Sequence, residues 1–372
     1  MHCSLGKHLM RIAMSQPYSY DLPEALIAHA PAEPRDSARL LVYHVAENTL
    51  IEDTFANISR YIPERALLIL NDTQVVPARL SLMKSTGGTV RILFLVNEWM
   101  GEGLIKGLPD RKLKTGDVLS LDGRPVVEVI SQDKEEFSYK VLMSSAEFRE
   151  LLKGSGTTPL PPYIHSSLSE DEARTRYQTV FATPDVQASV AAPTASLHFT
   201  EGVFNSLDAK GVERAYVTLH VGRGTFSPVD VTNPDQTKLH SEPVFISANS
   251  VKAIAHAQKE GRTIVASGTT ALRAIESAAE FIAKKAKTMD DHDKSPAAPY
   301  DMATDIFIKP PYDFKIANAL ITNFHLPGTS LLVLLDAFLQ YRGAARSWRD
   351  IYEYAIAHGF RFYSFGDAML VI

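Results

Sequence analysis

Four short stretches hold the residue types that can do polar chemistry, each where an apolar run gives way to small or polar residues. Residues 189–200 (SVAAPTASLHFT) set Thr194, Ser196 and His198 on a run of small residues that permits close backbone approach. Residues 218–226 (TLHVGRGTF) read as a strand entering a glycine turn, with His220 before it and Arg223 and Thr225 in and after it. The glycines there require nothing beyond the φ angles of the turn. Residues 267–270 (SGTT) follow the apolar run TIVA and open a helix carrying Arg273 and Glu276. A helix start offers free N–H groups and a positive dipole end, which suit a carboxylate or phosphate. A plain threonine N-cap at Thr269 or Thr270 accounts for the same residues. Residues 322–327 (TNFHLP) place Asn323 and His325 at the end of a strand, where α/β proteins gather ligands.

None of these is a standard short motif. The chain has no GxxxxGK[ST] loop, no HExxH helix and no GxSxG elbow, and the Gly222-Arg223-Gly224 turn lacks the third glycine of a dinucleotide fingerprint. His198, His220, His240 and His325 form no local His-x-x-x-His pair and have only Cys3 to help them, so no metal site is expected. A hydrolase triad of Ser196, His198 and Asp72 can be drawn, but proximity in sequence fixes no geometry.

The elements that must position these groups follow from the apolar patterning. A chain of 372 residues, 45% apolar, ordinarily divides into about two domains. Residues 66–82 (ALLILNDTQVVPARLSL) read as a strand, a polar turn holding Asp72, and a second β-branched run. Short runs (TVRILFLV, GLIKGL, PVVEVI, FSYKVLM) broken by Gly, Asp and Lys then suggest a small antiparallel barrel, ended by the helical AEFRELLKGSG. Afterwards strands alternate with helices: VERAYVTLHV, the helix SVKAIAHAQKEG, TIVASG, one helix over TTALRAIESAAEFIAKKAK, NALITNF, and LLVLLDAFLQYR. The expected fold is a large α/β domain (16–76 and 161–372) interrupted by a small antiparallel β-barrel domain (77–160), after a tail at 1–15. Residues 288–301 read as a surface loop, and Phe360, Phe362 and Phe365 near the end read as core.

One cysteine, no apolar run of about 18 residues and no signal-like start point to a soluble cytoplasmic protein. The net charge of −5 does not mark a nucleic-acid binder. Residues 106–114 (KGLPDRKLK) nevertheless set Lys106, Arg111, Lys112 and Lys114 against one acid, either as a solvated loop or as a phosphate contact.

Read in order, the blocks YDLPEALIAHAPAEPRDSARLLVY, LNDTQVVPARL, PLPPYI, RYQTVFA, SVAAPTASLHFT, VTLHVGRGTFSPV, HSEPV, SGTTALRAIESAA, TDIFI, ITNFHLP and RFYSFGDAMLVI span nearly the whole chain. Together they resemble the family of S-adenosylmethionine:tRNA ribosyltransferase-isomerases of queuosine biosynthesis. The resemblance implies an α/β domain interrupted by a β-barrel. It also implies transfer and isomerisation of the ribosyl unit of S-adenosylmethionine onto 7-aminomethyl-7-deazaguanine at the tRNA wobble position. Adenine and methionine leave, and epoxyqueuosine-tRNA forms. S-adenosylmethionine is then a co-substrate, with no permanently bound cofactor, tRNA is the partner, and a monomer is expected.

Under this resemblance His198 and His220 are the candidates for the base that removes a proton beside the sulfonium, and Asp72 joins them as a catalytic candidate. Arg273 with Thr269 and Thr270 suits the methionine carboxylate, and Glu276 or Asp72 its ammonium. Asn323 or Thr322 suits the ribose hydroxyls, and Arg79 a carboxylate or the tRNA. Thr194, Ser196, Arg223, Thr225 and His325 complete the substrate set, and the 106–114 tract gains weight as a tRNA contact. Ser196 stands where the family usually has glycine, Arg223 where it reads GAGTF, and Phe365 where it has tyrosine. Those departures imply the alternatives of a paralogue with a different acceptor or a non-catalytic tRNA-binding protein.

Overall fold

The run Leu67–Asn71 is buried at all five positions, as a strand covered on both faces must be. It lies in the interior of a nine-stranded sheet in the computed structural model, which describes every residue except 1–16, 100–102, 162, 165–167, 184–186, 223–238 and 289–297. The strands run in the order Tyr300–Thr304, Glu242–Ile246, Glu213–Leu219, Leu67–Asn71, Ile264–Ser267, Ala319–Asn323, Ala368–Val371, Arg39–His44 and Thr49–Thr54. Four consecutive members, from Glu213–Leu219 to Ala319–Asn323, are parallel. Successive residues of each strand serve opposite layers. Leu67 and Ile69 join the core beneath helices Ala248–Lys259, Thr269–Ser277, Ser330–Tyr341 and Trp348–Ala357, while Leu68 and Leu70 join Phe55, Phe199 and Phe204 on the other face.

Six antiparallel strands close the barrel in the order Glu136–Val141, Leu104–Pro109, Thr89–Phe94, Arg79–Lys84, Val118–Leu121 and Arg124–Asp133. Helix Ser145–Ser155, started by a Ser144/Glu147 capping box, packs Phe148 and Leu152 into the barrel core. Val190 of the α/β body enters that same core. The chain's exit and return are clasped together at this seam. Arg79 and Thr157 exchange two backbone hydrogen bonds (3.2 and 2.8 Å), and Arg174 donates to the carbonyls of Lys153 and Gly156 at 2.7 and 2.6 Å. Gly156 lies so close to Pro77 that a Cβ there would sit 1.9 Å from the proline carbonyl oxygen.

The α/β body and closed barrel agree with the expected fold class. Two elements differ. The helix expected over TTALRAIESAAEFIAKKAK is two, Thr269–Ser277 and Ala279–Thr288. The Ser277 carbonyl accepts from the Tyr300 hydroxyl, and Ala278 N–H bonds back to Ile275, which tightens the turn between them. The loop expected over 288–301 is narrower, because Thr288 ends the second helix and Tyr300 and Asp301 begin an edge strand; the stretch between lies largely outside the described residues. The N-terminal tail does so entirely. Phe360, Phe362 and Phe365 are all buried. Among the described residues no helix is long and apolar enough to cross a membrane.

Candidate active site at the strand ends

The four parallel strands end side by side, and each end carries polar groups. Asn71 ties three of them together: its Nδ2 donates to the Leu219 carbonyl (3.0 Å) and to Thr270 Oγ1 (3.1 Å), and its Oδ1 accepts from Leu219 N–H (3.1 Å). Two residues on, Thr73 Oγ1 lies 2.9 Å from His220 Nδ1. The other ring nitrogen of His220 has no bond to a described residue, and burial pushes its pKa below the usual histidine value, so the ring is neutral near pH 7.

Arg273 is the other chemically incomplete group. Its Nη1 pairs with Glu242, its Nε donates to the Ile306 carbonyl at 3.2 Å, and its Nη2 is buried without a hydrogen-bond partner. Glu242 is itself held by Gly222 N–H at 3.0 Å, so it orients the guanidinium. A small pocket lined by Arg273, Glu242, His240, Ile306, Ile308 and Leu334 adjoins this nitrogen's residue. Leu331, which lines this pocket, also lines a second recess, bounded by Asn323, His325, Thr194, Tyr163, Tyr363 and Ser364. There Thr194 Oγ1 donates to Asn323 Oδ1 (2.8 Å), and Asn323 Nδ2 is buried and unpartnered.

Other expected site residues are occupied by structural bonds. His198 has Nδ1 3.1 Å from the Ala195 carbonyl, Nε2 2.9 Å from the Gly366 carbonyl, and its ring against Phe55, so neither nitrogen is offered to a substrate. Glu276 is buried and accepts from the backbone N–H groups of Lys315, Ile316 and Ala317 at 2.8–3.1 Å, so it fastens a loop. Both Asp72 oxygens take threonine hydroxyls, from Thr218 (2.7 Å) and Thr183 (3.3 Å), while burial pushes its pKa up. Ser196 bonds Ser267 Oγ at 2.8 Å and is fully buried, so its side chain does not narrow either recess. Phe365 is packed edge-on against Tyr177.

The helix start differs from a threonine cap. Gly268 is the N-cap at φ +91°, a conformation that favours glycine, and no side chain caps the helix. Thr269 and Thr270 are buried, and the Thr270 hydroxyl accepts from Asn71. Arg79 begins a barrel strand and donates to the Leu160 carbonyl at 3.2 Å, at the seam and not at the strand ends. Lys106 is a correction to the solvated-loop reading: it sits within strand Leu104–Pro109, paired with Glu98 (3.1 Å) and Glu136 (2.9 Å). Arg111, Lys112 and Lys114 are exposed, the first two on a barrel groove that also holds Lys134. Arg223 and Thr225 lie outside the described residues. No group of three or more potential metal ligands occurs among the described residues.

His325 is buried, with Nε2 2.9 Å from Thr322 Oγ1, and desolvation lowers its pKa to about 3. Because the unfolded ring titrates near 6.5, the unfolded chain binds this proton first as pH falls. The contribution to stability is complete above that value and is lost as pH drops toward the folded pKa. His198 and His220 shift in the same direction. The urea midpoint is therefore expected to fall as pH is lowered from about 7 to about 4, and His325→Gln to flatten the fall. An unchanged slope in that variant would remove His325 from the account.

The family profile described as "Queuosine biosynthesis protein" matches residues 15–371. The chain belongs to this family of S-adenosylmethionine:tRNA ribosyltransferase-isomerases. It is similar to the protein of that name from Nitrosospira multiformis, 40% identical over 360 residues covering 96% of this chain and 98% of the relative. The same holds for the Symbiobacterium thermophilum protein, 40% identical over 363 residues covering 95% and 98%. The crystal structure of S-adenosylmethionine tRNA ribosyltransferase from Thermotoga maritima superposes with a TM-score of 0.51 at 29% identity, covering 95% of this chain and 99% of that one. The family's body and inserted barrel are thus the frame on which His220, Arg273 and Asn323 are mounted. Sequence reasoning missed Thr73, Glu242, Tyr163 and Tyr363, although HSEPV contained the glutamate; a partner 31 residues away in the chain leaves no local spacing signal.

Proposed function

We propose that the chain transfers and isomerises the ribosyl moiety of S-adenosylmethionine onto 7-aminomethyl-7-deazaguanine at the tRNA wobble position, yielding epoxyqueuosine-tRNA, adenine and methionine. The observation that carries this reading is a neutral histidine, oriented by Thr73 and bonded through its backbone N–H to the Pro243 carbonyl at 3.2 Å, next in the chain to the Glu242 that pairs with a buried guanidinium with one unpartnered nitrogen. A sulfonium acidifies the adjacent C5′ protons, so a neutral base can remove one; the pair left behind drives ring opening and adenine departs. His220 is the base in this scheme, since both nitrogens of His198 are committed to carbonyls. Arg273, oriented by Glu242, takes the methionine carboxylate through Nη2. Ser196 lends no support to a different acceptor, because Ser267 absorbs its hydroxyl.

Incubation with S-adenosylmethionine and tRNA bearing the aminomethyl-deazaguanine should release adenine and add the mass of the epoxycyclopentanediol to the RNA. Folded protein that releases no adenine would overturn the proposal.

The tRNA needs phosphate contacts on an acidic protein, and the exposed Arg111, Lys112 and Lys114 supply cations for them. The double variant Lys112→Ala/Lys114→Ala is expected to flatten the dependence of log K on log salt by about one unit or less per residue. Affinity unchanged at low salt would leave the tract merely solvated.

A further inference from the structure

We infer that Tyr163, Tyr363 and Asn323 form the recess for the adenine ring of S-adenosylmethionine, an inference that rests on the function proposed above. The walls are two fixed aromatic rings, their centroids 4.7 Å apart and their planes at 61°. Tyr163 is tethered through its hydroxyl to Ser364 Oγ at 2.5 Å. Tyr363 holds φ +74°, uncommon for a residue with a side chain, and is kept there by its N–H on the Phe324 carbonyl and its carbonyl on Gly366 N–H, both 3.0 Å. That backbone conformation is what brings its ring against Tyr163.

Asn323 supplies the polar end. It is 3% exposed, Thr194 occupies its Oδ1, and its Nδ2 has no partner, so the wall presents a donor and no free amide acceptor. A buried N–H left unmade is costly, and a bound acceptor would recover that cost. Flat apolar walls and one donor fit a planar heterocycle with ring-nitrogen acceptors, as adenine has. The 7-deazaguanine acceptor also has a planar ring, and position decides between them. The recess shares Leu331 with the Arg273 pocket, so a heterocycle in one and a carboxylate in the other would be neighbours, as the two ends of one S-adenosylmethionine molecule must be.

Adenosine is the probe, titrated calorimetrically into the full chain. Asn323→Ala is expected to weaken adenosine binding about tenfold, and Tyr163→Ala about tenfold or more by loss of the stacking wall, with methionine binding unchanged. Irradiation of the wild-type protein with 8-azidoadenosine, which needs no variant to fold, should label peptides containing Tyr163 or Tyr363. Adenosine affinity within twofold of wild type in Asn323→Ala would overturn the inference, as would labelling confined to other peptides. Displacement of adenosine by free 7-aminomethyl-7-deazaguanine, with an affinity sensitive to Asn323, would overturn it in favour of the acceptor. Asparagine-dependent adenosine binding without adenine release from S-adenosylmethionine and tRNA would leave the recess standing and remove the proposed reaction.

Discussion

His220→Asn is expected to lower kcat by about 10²–10⁴-fold while leaving the affinity for S-adenosylmethionine within a few fold, the range for a positioned general base. Asparagine keeps a polar group toward Thr73 Oγ1, now 2.9 Å from Nδ1, and loses only the basic nitrogen. The accompanying pH profile has a definite sign. If His220 is the base as proposed, its neutral form is the competent one, and because burial lowers its pKa, kcat/KM in the wild type should fall on an acid limb below the ordinary histidine value. That limb should vanish from the residual activity of the variant. Retention of the wild-type rate in His220→Asn would remove this residue from the proton transfer.

The largest effect on stability is expected at Glu242. Its carboxylate and the Arg273 guanidinium are 3% and 9% exposed at the side chain, so solvent screens their pairing little. Glu242→Ala leaves a buried cation uncompensated, which typically costs about 3–5 kcal/mol, and it also frees Gly222 N–H, now bonded at 3.0 Å. The urea midpoint should fall accordingly, whereas Glu242→Gln, which keeps the hydrogen-bond acceptor, should fall less. Because Arg273 also loses its orientation, KM for S-adenosylmethionine should rise in both. A Glu242→Ala protein within about 1 kcal/mol of wild type would show that the pair does not carry this load.

Parts of the fold were legible because local pattern and tertiary role coincide. Leu67–Asn71 and Ile264–Ser267 are continuous apolar runs because both faces of their sheet are covered. Thr49–Thr54 escaped because it is an edge strand with mostly exposed or half-exposed residues, and Ala368–Val371 because its parallel partner, Arg39–His44, lies at the opposite end of the chain. The site was legible as stretches and not as partners. The 189–200, 267–270 and 322–327 stretches do converge at the strand ends, yet His198, Glu276 and Ser196 turn out to be bound to backbone or to one another's neighbours. Lys106 shows the same limit: a tract rich in cations says nothing of the two glutamates that the barrel closure folds onto one of them.

The clasp between barrel and body determines where motion can occur during catalysis. With Gly156 pressed onto Pro77, and Arg79 and Thr157 bonded in both directions, the two crossings behave as a weld and not as a hinge. The span from the cationic groove of the barrel to the ends of the parallel strands is then a fixed gauge. Under the proposed function, an RNA held at that groove would meet a site whose distance the crossings do not adjust, so the fitting would fall to the nucleic acid.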